Sequence, residues 1–283
     1  MGISLDCEAT PINFPVEFPV GSFVISAHFV FETIAYTVGF LFYRQLRENR
    51  GDAISDSTRW SVIAAAAAGA AIGGKLLYWF EDPRMLAADW RDPAYLMGGK
   101  TIVGALIGGL IAVELAKRIL GERRSTGDLF APAIALGLAI GRIGCFLAGL
   151  PDHTYGVASS LPWAVDFGDG IPRHPTQLYE SAFAVILCLA LLRALRRPHR
   201  NGDVFKLFMV SYFAWRLAID FLKPDVRTFG LSSIQWACVA MLLYYSRDIY
   251  RWLAAGFGPP MRRAEDEPLT PRMAAGPSAG VLR

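Results

Sequence analysis

The sequence is poor in cysteine, in histidine and in net charge. Its 283 residues include four cysteines and four histidines. Cys7, Cys145, Cys188 and Cys238 show no CxxC spacing, so we expect neither a structural disulfide nor a metal site, and no other cofactor. Charged residues make up 19% of the chain and the formal net charge is only +3. This weakly basic balance argues against a nucleic-acid partner.

What the sequence has instead is long hydrophobic runs, since 53% of its residues are hydrophobic. Seven runs are each about 17–22 residues long, which is the length needed to cross a bilayer. They cover residues 22–43, 60–80, 101–120, 128–149, 176–193, 204–222 and 231–250. A soluble all-α protein would show amphipathic stripes with charged faces. The pattern predicts an all-α integral membrane protein with seven transmembrane helices.

Lys and Arg are absent before Arg44, and this absence helps to set the orientation. Four basic residues lie around the first connection, four in the third, four in the fifth and six in the tail. The alternate connections contain three, one and two. Under the positive-inside rule, the N-terminus lies outside and the C-terminus lies in the cytoplasm. Because no basic residue precedes the first run, we expect a membrane span there and not a secretory signal.

The chain divides into three parts by composition. We expect residues 1–21 to form an irregular external lead, because its prolines disfavour a helix. Residues 22–252 are predicted to form the seven-helix membrane domain, with a catalytic cavity on the outer-leaflet side. Residues 253–283 are rich in Pro, Gly and charge, and we expect a disordered cytoplasmic tail.

Ionisable residues inside the apolar runs are the main functional signal, because they are costly in lipid and usually face a cavity or a partner. In the predicted topology they lie at similar depth, in the outer halves of four helices. They are His28 and Glu32 in the first run, Arg142 in the fourth, His174, Gln177 and Glu180 at the start of the fifth, and Tyr212, Arg216 and Asp220 on one face of the sixth. We therefore expect these groups to converge.

Structural explanations for these residues stay open. Arg216 and Asp220 could form a pair that only stabilises the sixth helix. Asp220 could instead pair with Arg142 across the bundle, and Glu180 could neutralise a neighbouring arginine. His28 could be an interfacial residue at a helix start.

The two arginines also favour a ligand, because the guanidinium group binds phosphate in a bidentate manner. Pro175 suits the first helical position, which would leave the amides of Thr176 and Gln177 free at a positively polarised helix end. His174 lies beside this end and could relay a proton. These features predict a phospholipid headgroup as the ligand.

Three motifs resemble a known family. "GRIGCFLAG" (141–149) resembles the G-R-I-G-N-F-x-N-G signature of the bacterial prolipoprotein diacylglyceryl transferases. "RHPTQLYE" (173–180) resembles their H-P-[ST]-Q-L-Y-E, and "YFAWRLAIDFLKPD" (212–225) resembles their Y-x-x-x-R-[FI]-x-x-E-F-[FL]-R-x-P-D. Weaker similarities lie in the third and seventh runs, in the family's order.

The resemblance implies transfer of the diacylglyceryl group from phosphatidylglycerol to the lipobox cysteine thiol of a prolipoprotein, in the cytoplasmic (inner) membrane. Phosphatidylglycerol, the prolipoprotein signal peptide and membrane lipids would be the partners. Arg142 and Arg216 would bind the phosphate, with Tyr212 and Asp220 beside Arg216. The remaining residues carried over from the family are Gly141, Gly144 and Gly149, which would shape the signature turn, Cys145 at the signature asparagine, and Gln177, Tyr179 and Glu180 in the outer wall with His174.

Several positions depart from the family pattern. The histidine of the family's third-helix motif falls on Val103, and the signature asparagine falls on Cys145. The tyrosine of the first helix falls on Glu32. Because an alkyl group cannot carry a proton, another base is needed, and His28 and His153 are among the residues that could serve. We name His174 and Glu32 as the catalytic candidates, with Arg142 and Arg216.

Three other functions stay open. The chain could be a phospholipid-binding paralogue without catalysis, which would need the arginines and no base. It could also be a transferase with a different acceptor. A transporter fits less well, because the polar groups lie towards the outer side and not at the midplane.

Overall fold

The computed structural model of this protein describes residues 12–51 and 54–257. Within these residues ten α-helices form. They are α1 (Ala27–Arg50), α2 (Asp56–Trp79), α3 (Pro83–Asp89), α4 (Pro93–Met97), α5 (Ile102–Ile119), α6 (Phe130–Ala148), α7 (Thr176–Leu195), α8 (Asp203–Ile219), α9 (Ser233–Tyr244) and α10 (Ser246–Ala255). Single 3₁₀ turns follow α6 at Leu150–Asp152 and α8 at Asp220–Leu222. Cys7, the start of the expected lead and the predicted tail beyond residue 257 lie outside the described residues.

Two short hairpins accompany the helices. Strands β1 (Glu17–Val20) and β2 (Phe23–Ser26) pair antiparallel, and β3 (Val165–Asp166) pairs with β4 (Pro172–Arg173). The expectation of an irregular lead is therefore wrong for residues 17–20. The first helix begins at Ala27 and not at residue 22, because the backbone of 23–26 pairs with β1 and the hydroxyl of Ser26 caps the helix by accepting from the Phe29 amide.

The fold is that of an all-α membrane protein. Three described helices are long and apolar enough to cross a membrane, namely Asp56–Trp79, Phe130–Ala148 and Thr176–Leu195, and Ser233–Tyr244 is a shorter apolar helix. The predicted run 231–250 is not one helix, because α9 ends before Tyr245 and α10 begins after it. The start of the sixth run matches α8, whereas its end at residues 220–222 tightens into a 3₁₀ turn.

Glycine allows α2 and α5 to pack with their backbones in contact. A Cβ atom at Gly108 would collide with the carbonyl of Gly69 and lie 2.8 Å from the Cα of Gly73. Gly104 faces the carbonyl of Gly73 in the same way. Small residues at four-residue spacing permit such approaches between helices in lipid.

The apolar core lies among α6, α7, α8 and α9. Leu191, Phe208, Met209, Phe213 and Cys238 are fully buried there. α1 packs along α6, and α6 packs along α7. These contacts bring the polar positions of α1, α6, α7 and α8 to one end of the bundle.

Candidate phosphate site

Glu180 lies at the centre of the buried polar residues. Its Oε1 accepts from the Arg142 Nη2 at 2.9 Å and from the Tyr212 hydroxyl at 2.7 Å. Its Oε2 accepts from the Arg216 Nη1 at 3.0 Å. Glu180, Arg142, Arg216 and Tyr212 are all at least 95% buried. One carboxylate on α7 therefore joins the arginines of α6 and α8.

Asp220 and Lys223 extend this group beyond α8. Arg216 Nη2 lies 2.9 Å from Asp220 Oδ1, and Lys223 Nζ lies 3.5 Å from the same oxygen. We call Arg142, Glu180, Tyr212, Arg216, Asp220 and Lys223 the arginine cluster. Among these six side chains alone, three cations oppose two carboxylates, which leaves one positive charge. The carboxyl groups of Glu81 and Asp225 lie within electrostatic range of Arg216 and Lys223. A buried group with excess positive charge suits an anion.

The open pairings of the arginines are now resolved. Arg142 pairs with Glu180, so the alternative in which Asp220 faces Arg142 is wrong. The expected pairing of Arg216 with Asp220 is present, because the 3₁₀ turn keeps the two side chains adjacent at i and i+4. Lys223 was not singled out from the sequence, although it follows an apolar run in a connection with few charges.

Gln177 presents an unsatisfied amide beside this cluster. It is 1% exposed, and neither its side-chain oxygen nor its nitrogen has a hydrogen-bond partner. It precedes Glu180 by three residues on α7, so both point to the same side of the helix. Leaving a buried amide unpaired costs about 1–3 kcal/mol, which makes Gln177 a candidate to hold a ligand.

A second polar group lies next to the arginine cluster. His28 Nδ1 lies 3.3 Å from Asp152 Oδ1, and donor atoms of His28, Cys145 and Asp152 are all within 4.8 Å of one another. We call these three residues the His28 cluster. The Arg142 Nη1 lies 3.7 Å from the Cys145 sulfur, so Arg142 connects the two clusters.

Glu32 borders the His28 cluster. Its Oε1 accepts from Tyr36 at 3.0 Å and from the ammonium group of Lys100, and its Oε2 lies 3.8 Å from His28 Nε2. Lys100 was not singled out as a site residue from the sequence. Lys100 precedes α5. Burial lowers the pKa of Lys100, but the hydrogen bond and the charge of the Glu32 carboxylate outweigh this effect, so the pKa is raised.

Gly144 permits the approach of α1. A Cβ atom there would lie 2.8 Å from the Phe31 Cβ and 3.3 Å from the His28 backbone. Gly141 and Gly144 lie inside α6, so the expectation that they shape a turn is wrong. Gly149 does form the turn, with φ +68° after the helix end.

His174 and Tyr179 form a separate pair. The His174 Nδ1 lies 3.3 Å from the Tyr179 hydroxyl, which accepts from Trp163 at 2.7 Å. Within the described residues, no hydrogen bond joins His174 to the arginine cluster. The expectation of a free Thr176 amide is wrong, because this amide donates to the His174 carbonyl at 2.9 Å. Pro175 lies just before α7 and not at its first helical position.

Val103, which stands at the family's histidine in the sequence resemblance, is 1% exposed. It belongs to the apolar core with Leu187 and Phe213.

The fold and these clusters define a helical membrane protein with a buried, positively charged site suited to a phosphate group. The profile of the family described as prolipoprotein diacylglyceryl transferase matches residues 15–246. The chain belongs to this family, and the resemblance seen in the three motifs is confirmed.

Curated relatives agree with this assignment. A protein of Bordetella parapertussis is 35% identical over 228 residues, which cover 74% of this chain and 86% of the relative. One of Geobacter sulfurreducens is 30% identical, covering 77% and 85%, and one of Bordetella avium is 31% identical, covering 81% and 90%. Each of them is named phosphatidylglycerol–prolipoprotein diacylglyceryl transferase.

Proposed function

We propose that this chain transfers the diacylglyceryl group of phosphatidylglycerol to the lipobox cysteine thiol of prolipoproteins. The observation that carries the assignment of roles is the arginine cluster, whose excess positive charge lies beside the unpaired amide of Gln177. Arg142 and Arg216 bind the phosphate of the lipid. Their guanidinium groups stabilise the charge that develops as the phosphate leaves.

The membrane arrangement is part of the proposal. Seven helices cross the cytoplasmic (inner) membrane, with the N-terminus outside and a cytoplasmic tail at residues 253–283. They are α1, α2, α5, α6, α7, α8 and, in the run 231–250, α9 together with the start of α10. The alternation of basic connections supports this orientation. It places both clusters in the outer half, within reach of outer-leaflet lipid and of a membrane-tethered acceptor.

The reaction is a substitution at the glyceryl carbon that carries the phosphate. The acceptor sulfur forms the C–S bond, the C–O bond to the phosphate breaks, and its electron pair leaves with glycerol phosphate. The thiol proton passes to Glu32. This carboxylate is favoured over His174, because Glu32 borders the His28 cluster next to Arg142, whereas His174 pairs with Tyr179.

A transfer assay with purified protein, phosphatidylglycerol and a lipobox peptide tests the function. We expect the peptide to gain the diacylglyceryl mass and glycerol phosphate to be released. Arg142→Lys keeps the charge and loses the bidentate fork, so transfer should fall roughly 100-fold. The exposed Arg44 gives the matched control Arg44→Lys, which should transfer normally.

Two outcomes would contradict the proposal. Phospholipid binding that depends on Arg142, without mass gain on any thiol peptide, would indicate the lipid-binding paralogue. Equal activity in Glu32→Gln and the parent would reject Glu32 as the proton acceptor. We expect Glu32→Gln to lower transfer at least tenfold more than His174→Gln, since a side-chain base contributes about 100-fold or more.

A further inference from the structure

The His28 cluster contains the donor set of a catalytic zinc site. His28, Cys145 and Asp152 offer a ring nitrogen, a sulfur and a carboxylate oxygen within 4.8 Å of one another. Zinc binds these three donor types at about 2.0–2.3 Å, and catalytic sites use three protein ligands with one open position. Ligands of a tetrahedral ion then stand ~3.3–3.8 Å apart, so side-chain movements of about 1 Å would close the cluster.

A ring nitrogen of His28 is unused in the described structure. Its Nδ1 is buried and makes no hydrogen bond, although Asp152 Oδ1 lies only 3.3 Å away. The two atoms are therefore close but poorly directed for a hydrogen bond. These two atoms are better placed to bind one metal ion than to form a hydrogen bond with each other.

Neighbouring polar groups lie against two of the three ligands. Thr154 donates its hydroxyl to Asp152 Oδ2, which leaves Oδ1 towards His28. Glu32 Oε2 faces the other ring nitrogen of His28 at 3.8 Å. A carboxylate on the second nitrogen of a ligating histidine fixes its tautomer and raises its basicity.

The charges also favour a divalent cation. Before an ion binds, with Cys145 as a thiol, the carboxylates of Glu32 and Asp152 supply two negative charges. Lys100 supplies one positive charge, so the group carries −1. The nearby Arg142 pairs with Oε1 of Glu180, so a carboxylate outside this group balances the charge of Arg142.

We infer that His28, Cys145 and Asp152 bind a Zn²⁺ ion whose open position takes the acceptor thiolate. This inference rests on the proposed function for its catalytic role. The Cys145 sulfur lies 3.7 Å from the Arg142 Nη1, so an ion in this cluster would stand beside the guanidinium group that holds the phosphate. A bound zinc ion stabilises a thiolate, and Arg142 would hold the leaving phosphate beside it. The bonds formed and broken are those given above, and the thiol proton is released to Glu32.

Co²⁺ is the probe for the site itself. The full chain, purified in detergent and treated with a chelator, is titrated with Co²⁺ alone. We expect one Co²⁺ per chain with a thiolate-to-cobalt absorption band, which added Zn²⁺ removes. Cys145→Ala should lose the band, and His28→Gln and Asp152→Asn should weaken binding at least tenfold. Cys238→Ala, which changes a buried cysteine in α9, is the matched control and should keep it.

The same preparations separate this inference from the proposed function. Loss of transfer on chelation and its recovery with Zn²⁺ would support both. Full transfer in protein shown by elemental analysis to be free of metal would overturn the zinc inference and leave the function standing. Zinc binding that needs Cys145, in a protein without transfer to any thiol, would overturn the function and leave the site standing. Absence of the cobalt band in the parent protein would overturn the site.

Discussion

Tyr212 of α8 and Arg142 of α6 donate to the same oxygen of Glu180 on α7. The Tyr212 hydroxyl lies 2.7 Å from Oε1 and the Arg142 Nη2 lies 2.9 Å from it. Arg216 takes the other oxygen. Three helices therefore depend on one carboxylate, and each donor can be removed separately.

Tyr212→Phe removes one donor and keeps the ring in the core. We expect a loss of about 1–2 kcal/mol in the free energy of unfolding, because Oε1 loses a short hydrogen bond in a buried site. Transfer should fall by less than tenfold, since both guanidinium groups remain. Thermal unfolding in detergent and the peptide assay measure the two effects. Tyr250→Phe, at a side chain exposed by 75%, is the control, and equal stability of the two variants would contradict the prediction.

Glu180→Gln removes the shared charge and should be more damaging. Arg142 and Arg216 would then lie buried beside each other without their common counter-ion. Breaking a buried ion pair on one side costs roughly 3–5 kcal/mol. Glu48→Gln disrupts the exposed pair with Arg44 and should change stability by less than about 1 kcal/mol. Equal stability of these two variants in thermal unfolding would show that the buried carboxylate is not needed for stability.

The contact between α2 and α5 can be tested with two adjacent glycines. In Gly108→Ala the new methyl group meets the backbone of Gly69 and Gly73, which cannot move without separating the helices. In Gly109→Ala it meets the Ala66 carbonyl at 3.5 Å, an ordinary contact. We expect Gly108→Ala to cost about 1–3 kcal/mol in the thermal assay and Gly109→Ala to be neutral. The reverse order would mean that the helices pack differently.

A similar pair of variants tests the role of Gly144. Gly144→Ala pushes against Phe31 and the backbone of His28, whereas Gly141→Ala meets only the Ala35 Cβ at 3.9 Å. We expect Gly144→Ala to displace α1 from α6, at a cost of about 1–3 kcal/mol, and to lower transfer. Gly141→Ala should change thermal stability little. If Gly144→Ala matched it in both stability and transfer, the close approach of α1 would not matter.

The sequence could predict the elements and the polar residues, but not every pairing. Apolar run length located α2, α5, α6, α7 and α8 to within a few residues, because each helix follows an apolar run of similar length. The 3₁₀ turn at Asp220 and the break at Tyr245 depend on tertiary packing, which periodicity does not report. The proximity of His28, Cys145 and Asp152 could not be predicted either, because it depends on the close contact at Gly144 between two helices distant in sequence.

Glu81 gives the protein a pH dependence outside the spanning helices. Burial raises the pKa of Glu81 from 4.5 to about 7, and the carboxylate of Asp225 adds to the shift, against the opposing charges of Arg216 and Lys223. Because the folded pKa lies above the unfolded one, the stabilisation is complete below pH 4.5 and is lost as the pH rises through about 7.

Glu81→Gln should remove this dependence. The variant keeps a neutral side chain at every pH, so it should gain ~1–3 kcal/mol over the parent at high pH, since one pKa unit corresponds to about 1.4 kcal/mol. Thermal unfolding between pH 5 and 9 measures the difference. Glu17→Gln, an exposed residue of β1, is the control. A stability difference that did not change with pH would contradict the assignment to Glu81.

If Arg142 and Arg216 bind the lipid phosphate as proposed, Glu180 competes with that phosphate for both guanidinium groups. Both guanidinium groups hold a carboxylate before any lipid arrives, so an incoming phosphate must displace it. The net affinity for the phosphate then reflects the difference between the binding free energies of the phosphate and of the carboxylate. It is weaker than the affinity that two unpaired arginines would give. After the C–O bond breaks, the same carboxylate can return to the arginines and speed the departure of glycerol phosphate. An occupied site of this kind favours rapid turnover over tight retention of its product.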